Sequence, residues 1–254
     1  MSSGDAGWTP VSGDNDLAAT SARAVLLPGH DVVIWRAEAG SVHAWENRCP
    51  HRGMRMSFGQ VRGDTLVCRY HGWGFNQSGQ CQNIPAAPDM PAPPAACIKT
   101  YACKEAAGLI WVDTSEAPGD TPDFADCDVL AEPAFCKSIY VDGEGSRIME
   151  SLKVVRFLPF GLEPSALEDM TWSVRELSPT LLEISAAQGG LTEALVLALH
   201  QGADNRCGIH VIASSADDEA TDSARRLHYG KWARRLRHVL SGVDTSGDGM
   251  AALV

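Results

Sequence analysis

Two stretches of the sequence decide how its first half folds: Cys49-Pro50-His51-Arg52-Gly53 and Cys68-Arg69-Tyr70-His71-Gly72-Trp73-Gly74-Phe75. Each stretch carries one cysteine followed closely by one histidine, and 16 residues lie between His51 and Cys68. Thiolate sulfur and imidazole nitrogen are both strong ligands for transition metals. The spacing C-x-H…C-x-x-H therefore predicts that two short loops grip one metal centre, with each loop supplying one ligand of each type.

The predicted ligands are Cys49, His51, Cys68 and His71. Two sulfurs and two imidazoles are the ligand set of a Rieske [2Fe–2S] cluster, in which one iron takes the cysteines and the other takes the histidines. Zinc is the main chemical rival, because tetrahedral Cys₂His₂ sites are common. A zinc finger usually pairs two cysteines at one knuckle and two histidines at another, whereas here each loop supplies one of each. We therefore favour the [2Fe–2S] cluster and keep a zinc-binding interaction protein as the weaker alternative.

The two loops, Cys49–Gly53 and Cys68–Phe75, resemble those of the Rieske domain in the ring-hydroxylating and demethylating non-haem iron oxygenases. The resemblance extends from Trp8-Thr9-Pro10-Val11 to Gly108-Leu109-Ile110-Trp111-Val112. It implies an all-β Rieske domain over residues 1–115.

Residues within the loops indicate the subtype of Rieske domain. The Rieske proteins of cytochrome complexes carry an extra cysteine in each loop, and the two form a disulfide; the matching positions here are Met54 and Tyr70. Those proteins also place hydroxyl donors where this chain has Trp73 and Phe75. Fewer hydrogen bonds to a cluster stabilise its reduced form less, so we expect a potential near the low end of the Rieske range. Such a potential suits a reductase or a ferredoxin as electron donor.

Composition shifts along the chain predict an α+β protein with four segments. The Rieske domain is followed by a linker at 116–135, because this segment is acidic and contains Pro118, Pro122 and Pro133. Residues 136–242 contain strand-like runs and a helical pattern at Ser223–Leu240, and 243–254 reads as a flexible tail. The resemblance implies that 136–242 is a reduced form of the oxygenase catalytic domain, with a helix-grip-like arrangement of an antiparallel sheet and a C-terminal helix.

The iron site of that catalytic domain has no counterpart in the sequence. In the oxygenases a 2-His-1-carboxylate triad binds a mononuclear iron, and the family pattern resembles D-x-x-H-x-x-x-x-H. Residues 114–254 contain only four histidines, and no two are five positions apart; they are His200, His210, His228 and His238. We therefore predict a [2Fe–2S] cluster and no mononuclear iron, and assign no catalytic residues.

Charge and hydropathy exclude several classes of function. The 254 residues include 21 basic and 32 acidic side chains, a net charge of -11, which disfavours nucleic acid as a partner. The longest apolar run, Ala194–Leu199, is far shorter than the roughly 18 to 20 residues that span a bilayer. The first residues lack the features of a secretory signal, so we expect a cytoplasmic protein. Its eight cysteines then indicate metal ligation rather than a disulfide framework.

Three functions fit these observations. The leading hypothesis is an oxidoreductase component: an electron-transfer or structural subunit that passes electrons from a reductase or ferredoxin toward a mononuclear iron on a partner. The partner would be an iron-bearing oxygenase homologue or another copy in a homo-oligomer. The alternatives are a self-contained Rieske monooxygenase with an atypical iron site and a standalone Rieske ferredoxin-like redox module.

Overall fold

A computed structural model describes residues 7–120, 124 and 126–242 of the chain. These residues form two compact units, one built mainly on Asp14–Ala106 and the other on the described residues from 124 to 242. Each unit has its own hydrophobic core. The predicted tail at 243–254 lies outside the described residues.

Ten strands precede the first helix, and six of them form one sheet in the order β1-β10-β9-β4-β3-β2. The ten are β1 Thr9–Gly13, β2 Ala22–Leu27, β3 His30–Arg36, β4 Val42–Glu46, β5 Gln60–Arg62, β6 Thr65–Val67, β7 Gly74–Phe75, β8 Cys81–Asn83, β9 Thr100–Ala106 and β10 Leu109–Asp113. The run Val32–Trp35, rich in β-branched residues, is fully buried within β3. A two-residue turn at Pro28-Gly29 joins β2 to β3, and Gly29 adopts the left-handed φ of +76° there.

The remaining four strands form a small sheet, ordered β5-β6-β7-β8, that presents the two predicted ligand loops. The first loop lies between β4 and β5, and the second connects β6 directly to β7. Beneath the loops, both predicted cysteine ligands belong to one core cluster with Trp35, Trp45 and Phe75. The loops are therefore supported by packed aromatic side chains.

The second unit is a five-stranded antiparallel sheet, ordered β11-β15-β14-β13-β12, with helices packed against it. Its elements are α1 Asp128–Ala131, β11 Pro133–Asp142, α2 Gly145–Leu152, β12 Thr171–Ser178, β13 Leu181–Gln188, β14 Leu191–Gln201, β15 Arg206–Ser214 and α3 Glu219–Leu240. The buried face of α3 contributes Tyr229, Trp232 and Leu236 to the core. The presence of both strands and helices agrees with the predicted α+β class, although most of the elements are strands.

Two sequence predictions about this half need correction. The helix predicted at Ser223–Leu240 begins earlier, at Glu219, because the carboxylate of Asp218 accepts a hydrogen bond from the Thr221 N–H at 2.9 Å and caps the helix. The segment 116–135 is not wholly a linker: it contains α1 and the start of β11. Val129 and Leu130 are buried, and this apolar pair gives α1 a packing surface despite the acidic surroundings.

Candidate metal centre

The first predicted ligand loop is closed by two backbone hydrogen bonds. The N–H of Cys49 donates to the carbonyl of Met54 at 2.8 Å, and the N–H of Gly53 donates back to the Cys49 carbonyl at 2.8 Å. Gly53 has a φ of +73°, which a residue without a Cβ adopts at little cost. The chain therefore reverses tightly within six residues and leaves His51 at the tip of the turn.

The second loop repeats this geometry. The N–H of Cys68 donates to the carbonyl of Trp73 at 2.8 Å, and the N–H of Gly72 donates to the Cys68 carbonyl at 3.0 Å. Gly72 has a φ of +72°. In both loops the glycine lies four residues after the cysteine. The two loops therefore share one backbone conformation, with the cysteine at the base and the histidine near the tip.

The cysteines are buried and the histidines reach the surface. Cys49 and Cys68 are 2% and 3% exposed, whereas His51 is half-buried and His71 is exposed. Burial raises the pKa of the Cys49 thiol to about 11; the backbone N–H groups of His51 and Arg52 lower it, and the neighbouring Cys68 thiol raises it further. The two sulfurs therefore lie side by side, and neither cysteine forms a disulfide.

The two predicted histidine ligands also lie together. Their ring centroids are 4.7 Å apart, at an interplanar angle of 62°. Trp73 stacks on His51 at 4.4 Å and 6°, and Tyr70 lies against His71 at 3.9 Å. Desolvation lowers the pKa of His51, and the nearby His71 and Arg52 lower it as well. Aromatic neighbours thus hold both rings in orientation, and the lowered pKa of His51 favours its neutral form, which is the form that binds metals.

This arrangement fits a [2Fe–2S] cluster better than a single ion. A Rieske cluster needs one pair of sulfurs and one pair of imidazoles, because each iron takes only two protein ligands. The four side chains form those two pairs. Across the described residues, no three His, Cys, Asp or Glu side chains gather closely enough to hold one metal ion.

One residue that supports the first loop was not singled out from the sequence. Asn47 is 2% exposed, and its side-chain nitrogen donates to Asp31 at 2.9 Å and to the Ser57 hydroxyl at 3.0 Å. Its side-chain oxygen accepts from the Ser57 N–H at 2.7 Å, and Arg55 donates to the same Asp31 oxygen. Asn47 before the first loop and Arg55 after it thus both bind Asp31 on β3. An asparagine two residues before a ligand cysteine carries no signal of this, because its partners are distant in sequence.

The structure brings together two of the four histidines in the second half. Nδ1 of His200 lies 3.0 Å from Nε2 of His210, and Nδ1 of His210 lies 2.8 Å from the Ser138 hydroxyl. Both rings are buried, at 5% and 0% exposure. His228 instead bonds the Leu158 carbonyl at 2.7 Å, so it does not join this pair. The pair lies on the neighbouring strands β14 and β15, where His200 is opposite Gly208 and His210 is opposite Ala198, so the two rings meet diagonally across the strands.

Comparison with known proteins agrees with this geometry. Residues 7–102 match the family of Rieske [2Fe-2S] domains. Oxidoreductase NdmD of Pseudomonas putida is 41% identical over 114 residues, which are 44% of this chain and 19% of that protein. The 4beta-methylsterol monooxygenase of Methylococcus capsulatus is 40% identical over 121 residues, covering 47% of this chain and 31% of that protein. These residues and loops define a Rieske iron–sulfur protein.

The fold comparison extends beyond the Rieske domain. A crystal structure of dicamba monooxygenase with non-heme iron and dicamba has a TM-score of 0.70, at 19% identity, and covers 94% of this chain and 86% of that one. Residues 7–102 therefore belong to the family of Rieske [2Fe-2S] domains, and the likeness to dicamba monooxygenase, at 19% identity, shows a shared fold. Its matches span less than a third of the two curated relatives named above. Among the helices of the described residues, none has the length and apolar character needed to cross a membrane.

Proposed function

We propose that this chain is a Rieske electron-transfer or structural subunit of a non-haem iron oxygenase system, with Cys49, His51, Cys68 and His71 as the cluster ligands. The observation that carries this proposal is the pair of matching loops. They bury two adjacent sulfurs and hold two adjacent imidazoles at the surface.

In this role the two kinds of ligand have different tasks. The thiolates of Cys49 and Cys68, which burial shields from water, would hold one iron of the cluster. The imidazoles of His51 and His71 face outward and form the edge through which an electron enters or leaves. A [2Fe–2S] cluster held there supplies one-electron redox chemistry. Phe75 is fully buried and Trp73 is stacked on His51. Neither side chain offers a hydroxyl, and this supports a potential at the low end of the Rieske range.

The second unit supports the oxygenase-system part of the proposal. Its five-stranded antiparallel sheet and the long helix α3 fit a helix-grip-like domain that is reduced relative to an oxygenase catalytic domain. We propose that it associates with the subunit that carries the mononuclear iron, which is a homologue or another copy in a homo-oligomer. A reductase or a ferredoxin supplies the electrons. A standalone ferredoxin-like module would not need this second core.

The deciding experiment measures iron and acid-labile sulfide per chain in anaerobically purified protein, with the electron paramagnetic resonance spectrum after reduction. We expect about two irons and about two sulfides with a Rieske signal. Cys68→Ser should abolish that signal, whereas Cys97→Ser should preserve it, because Cys97 is an exposed cysteine outside the loops. Zinc without sulfide would exclude the proposal.

The His200–His210 pair favours one second candidate, a self-contained monooxygenase with an atypical iron site. Their nitrogens are 3.0 Å apart, close to the separation of two neighbouring ligands on one octahedral metal at about 2.1 Å. This candidate predicts a third, sulfide-free iron that is lost in His210→Ala. Two irons per chain in both the parent and the variant would exclude it.

A further inference from the structure

The segment that contains the two ligand loops is strongly basic within an acidic chain. Residues 48–71 contain five arginines and one aspartate, a formal charge of +4, whereas the whole chain carries -11. We call these five arginines the arginine rim: Arg48, Arg52, Arg55, Arg62 and Arg69. Charges of one sign gathered beside a functional edge create a local potential that the net charge of the protein does not reveal.

Part of the arginine rim lines a cleft beside the first loop. This cleft of ≈ 490 Å³ is bordered by Arg48, Arg55 and Lys99, and also by Asp31 and Glu46. Arg55 donates to Asp31 at 2.9 Å. The exposed Arg48 lies over the loop glycine, with Nε 3.4 Å from the position that a Cβ on Gly53 would occupy. Arg48 and Lys99 thus add positive charge to the side of this loop.

A second cleft, beside the second loop, is more purely basic. It has a volume of ≈ 470 Å³ and is bordered by Arg62 and Arg69, and none of the residues that the structure places around it is acidic. Both arginines are exposed. The first cleft therefore borders the first loop at Gly53, the second cleft borders the second loop at Arg69 and Gly72, and arginines line both clefts.

The surface through which an electron would pass is the edge formed by the two loop histidines. His51 and His71 form its centre, and the exposed Arg52 follows His51 directly. Tyr70 is 53% exposed, and its ring lies against His71 at an interplanar angle of 31°. Exposed tyrosine and arginine side chains are the types that dominate binding energy at protein interfaces. The site has an aromatic centre and a cationic border.

We propose that the arginine rim is the docking surface for an acidic electron-transfer protein, whose carboxylates pair with the arginines while its redox group faces the two imidazoles. This inference rests on the proposed function and names the kind of partner that the site receives. Opposite charges steer the encounter and raise its rate. Outside residues 48–71 the chain is net acidic, with α3 as a second basic segment, so the charge distribution disfavours most other orientations of such a partner.

The test measures binding to an acidic plant-type [2Fe–2S] ferredoxin by titration calorimetry, using the full chain at about 20 mM and about 300 mM salt. The double variant Arg52→Glu/Arg69→Glu should bind at least about tenfold more weakly at low salt and lose most of its salt dependence. Arg52→Lys/Arg69→Lys should restore binding, because it retains the charges. The matched control Arg234→Glu/Arg237→Glu makes the same charge change on the exposed face of α3 and should bind like the parent.

The possible outcomes distinguish a failure of the docking surface from a failure of the proposed function. Equal weakening in the two Arg→Glu variants would show that only net charge matters and would overturn the docking surface, as would the absence of binding by the parent at low salt. A visible Rieske spectrum in the Arg52→Glu/Arg69→Glu variant with unchanged ferredoxin affinity would overturn the docking surface alone. Arginine-dependent binding by a chain without cluster absorption would instead support the docking surface and overturn the proposed function.

Discussion

Two glycines set the shape of the ligand loops, but their surroundings differ. Gly53 and Gly72 both have a left-handed φ, of +73° and +72°. A Cβ on Gly53 would meet the flexible guanidinium of Arg48 at 3.4 Å, whereas a Cβ on Gly72 would meet the Pro85 ring at 2.9 Å. The second loop therefore tolerates a side chain at position 72 less well than the first loop tolerates one at position 53, because a proline ring cannot rotate away.

We expect Gly72→Ala to lower the free energy of unfolding by about 1–3 kcal/mol and to reduce the amount of bound cluster, since the loop must shift to relieve both the φ strain and the clash. Chemical denaturation and the visible spectrum measure the two effects. Gly29→Ala is the control, because Gly29 has a similar φ of +76° and nothing within 4 Å of its Cβ position. Equal losses in both variants would show that the contact with Pro85 contributes nothing.

At the scale of elements, the antiparallel register of the second sheet brings the polar side chains of His200, His210 and Ser138 together on neighbouring strands. His210 lies opposite Ala198 on β14 and opposite Ser138 on β11, and His200 lies opposite Gly208. The His200 ring covers Gly208 so closely that a Cβ there would come within 2.1 Å of the ring. Gly208 is therefore the position that lets the two histidines meet.

Two glycine substitutions in this unit should have opposite effects. Gly208→Ala pushes the His200 ring aside and breaks its bond to His210, so we expect a loss of about 2 kcal/mol or more. Gly230→Ala should stabilise by about 1 kcal/mol, because Gly230 lies within α3 and its Cβ would meet only the Cys136 carbonyl at 3.6 Å. Urea denaturation of both variants checks the signs. Stabilisation by both substitutions would contradict the tight packing at Gly208.

The start of α3 makes a pH-dependent contribution to the stability of the fold. The backbone N–H of Thr221 lowers the pKa of Asp218, which caps the helix. A carboxyl whose pKa is lower in the folded state stabilises the fold above its unfolded pKa of about 3.9, and this contribution is lost as pH falls through the folded value. Asp218→Ala should therefore lower the thermal midpoint at neutral pH, and its difference from the parent should shrink below about pH 4. Asp217→Ala is the control, because it removes the neighbouring carboxylate and leaves the Asp218 cap in place.

At the scale of the whole molecule, the eight cysteines separate by environment. Cys49 and Cys68 lie at the candidate cluster, Cys97 is exposed, and Cys207 is fully buried. Burial raises the pKa of Cys207 to about 11. At pH 8 only about 0.1% of such a thiol is ionised, and the thiolate is the reactive form.

Alkylation with iodoacetamide at pH 8, followed by peptide mass spectrometry, should therefore modify Cys97 first and leave Cys207 unmodified in the folded chain. In protein that contains the cluster, Cys49 and Cys68 should also be protected. Chelation of the iron should make Cys49 and Cys68 available for alkylation. Cys97 should still be modified before Cys207. Rapid labelling of Cys68 before iron removal would contradict its assignment as a ligand.

Much of this protein could be predicted from local sequence. The loops depend on residues within six positions of one another, so their spacing and sequence predicted the Rieske domain that the family match confirms, with Cys49, His51, Cys68 and His71 as its predicted ligands. Most of α3 followed from helical periodicity. The short helix α1 could not be predicted in this way, because its four residues are stabilised by the burial of Val129 and Leu130 in the folded unit and not by a local helical pattern.

The sequence by itself determined the ligand types, the order of the two loops and the net charge of the chain. The tertiary structure decided the bracing of the first loop by Asn47, the meeting of His200 with His210 and the placement of Arg62 and Arg69 beside one loop. These features depend on strand order and register. Residues that are distant in sequence become neighbours only when the sheets pair, and a local pattern carries no information about that pairing.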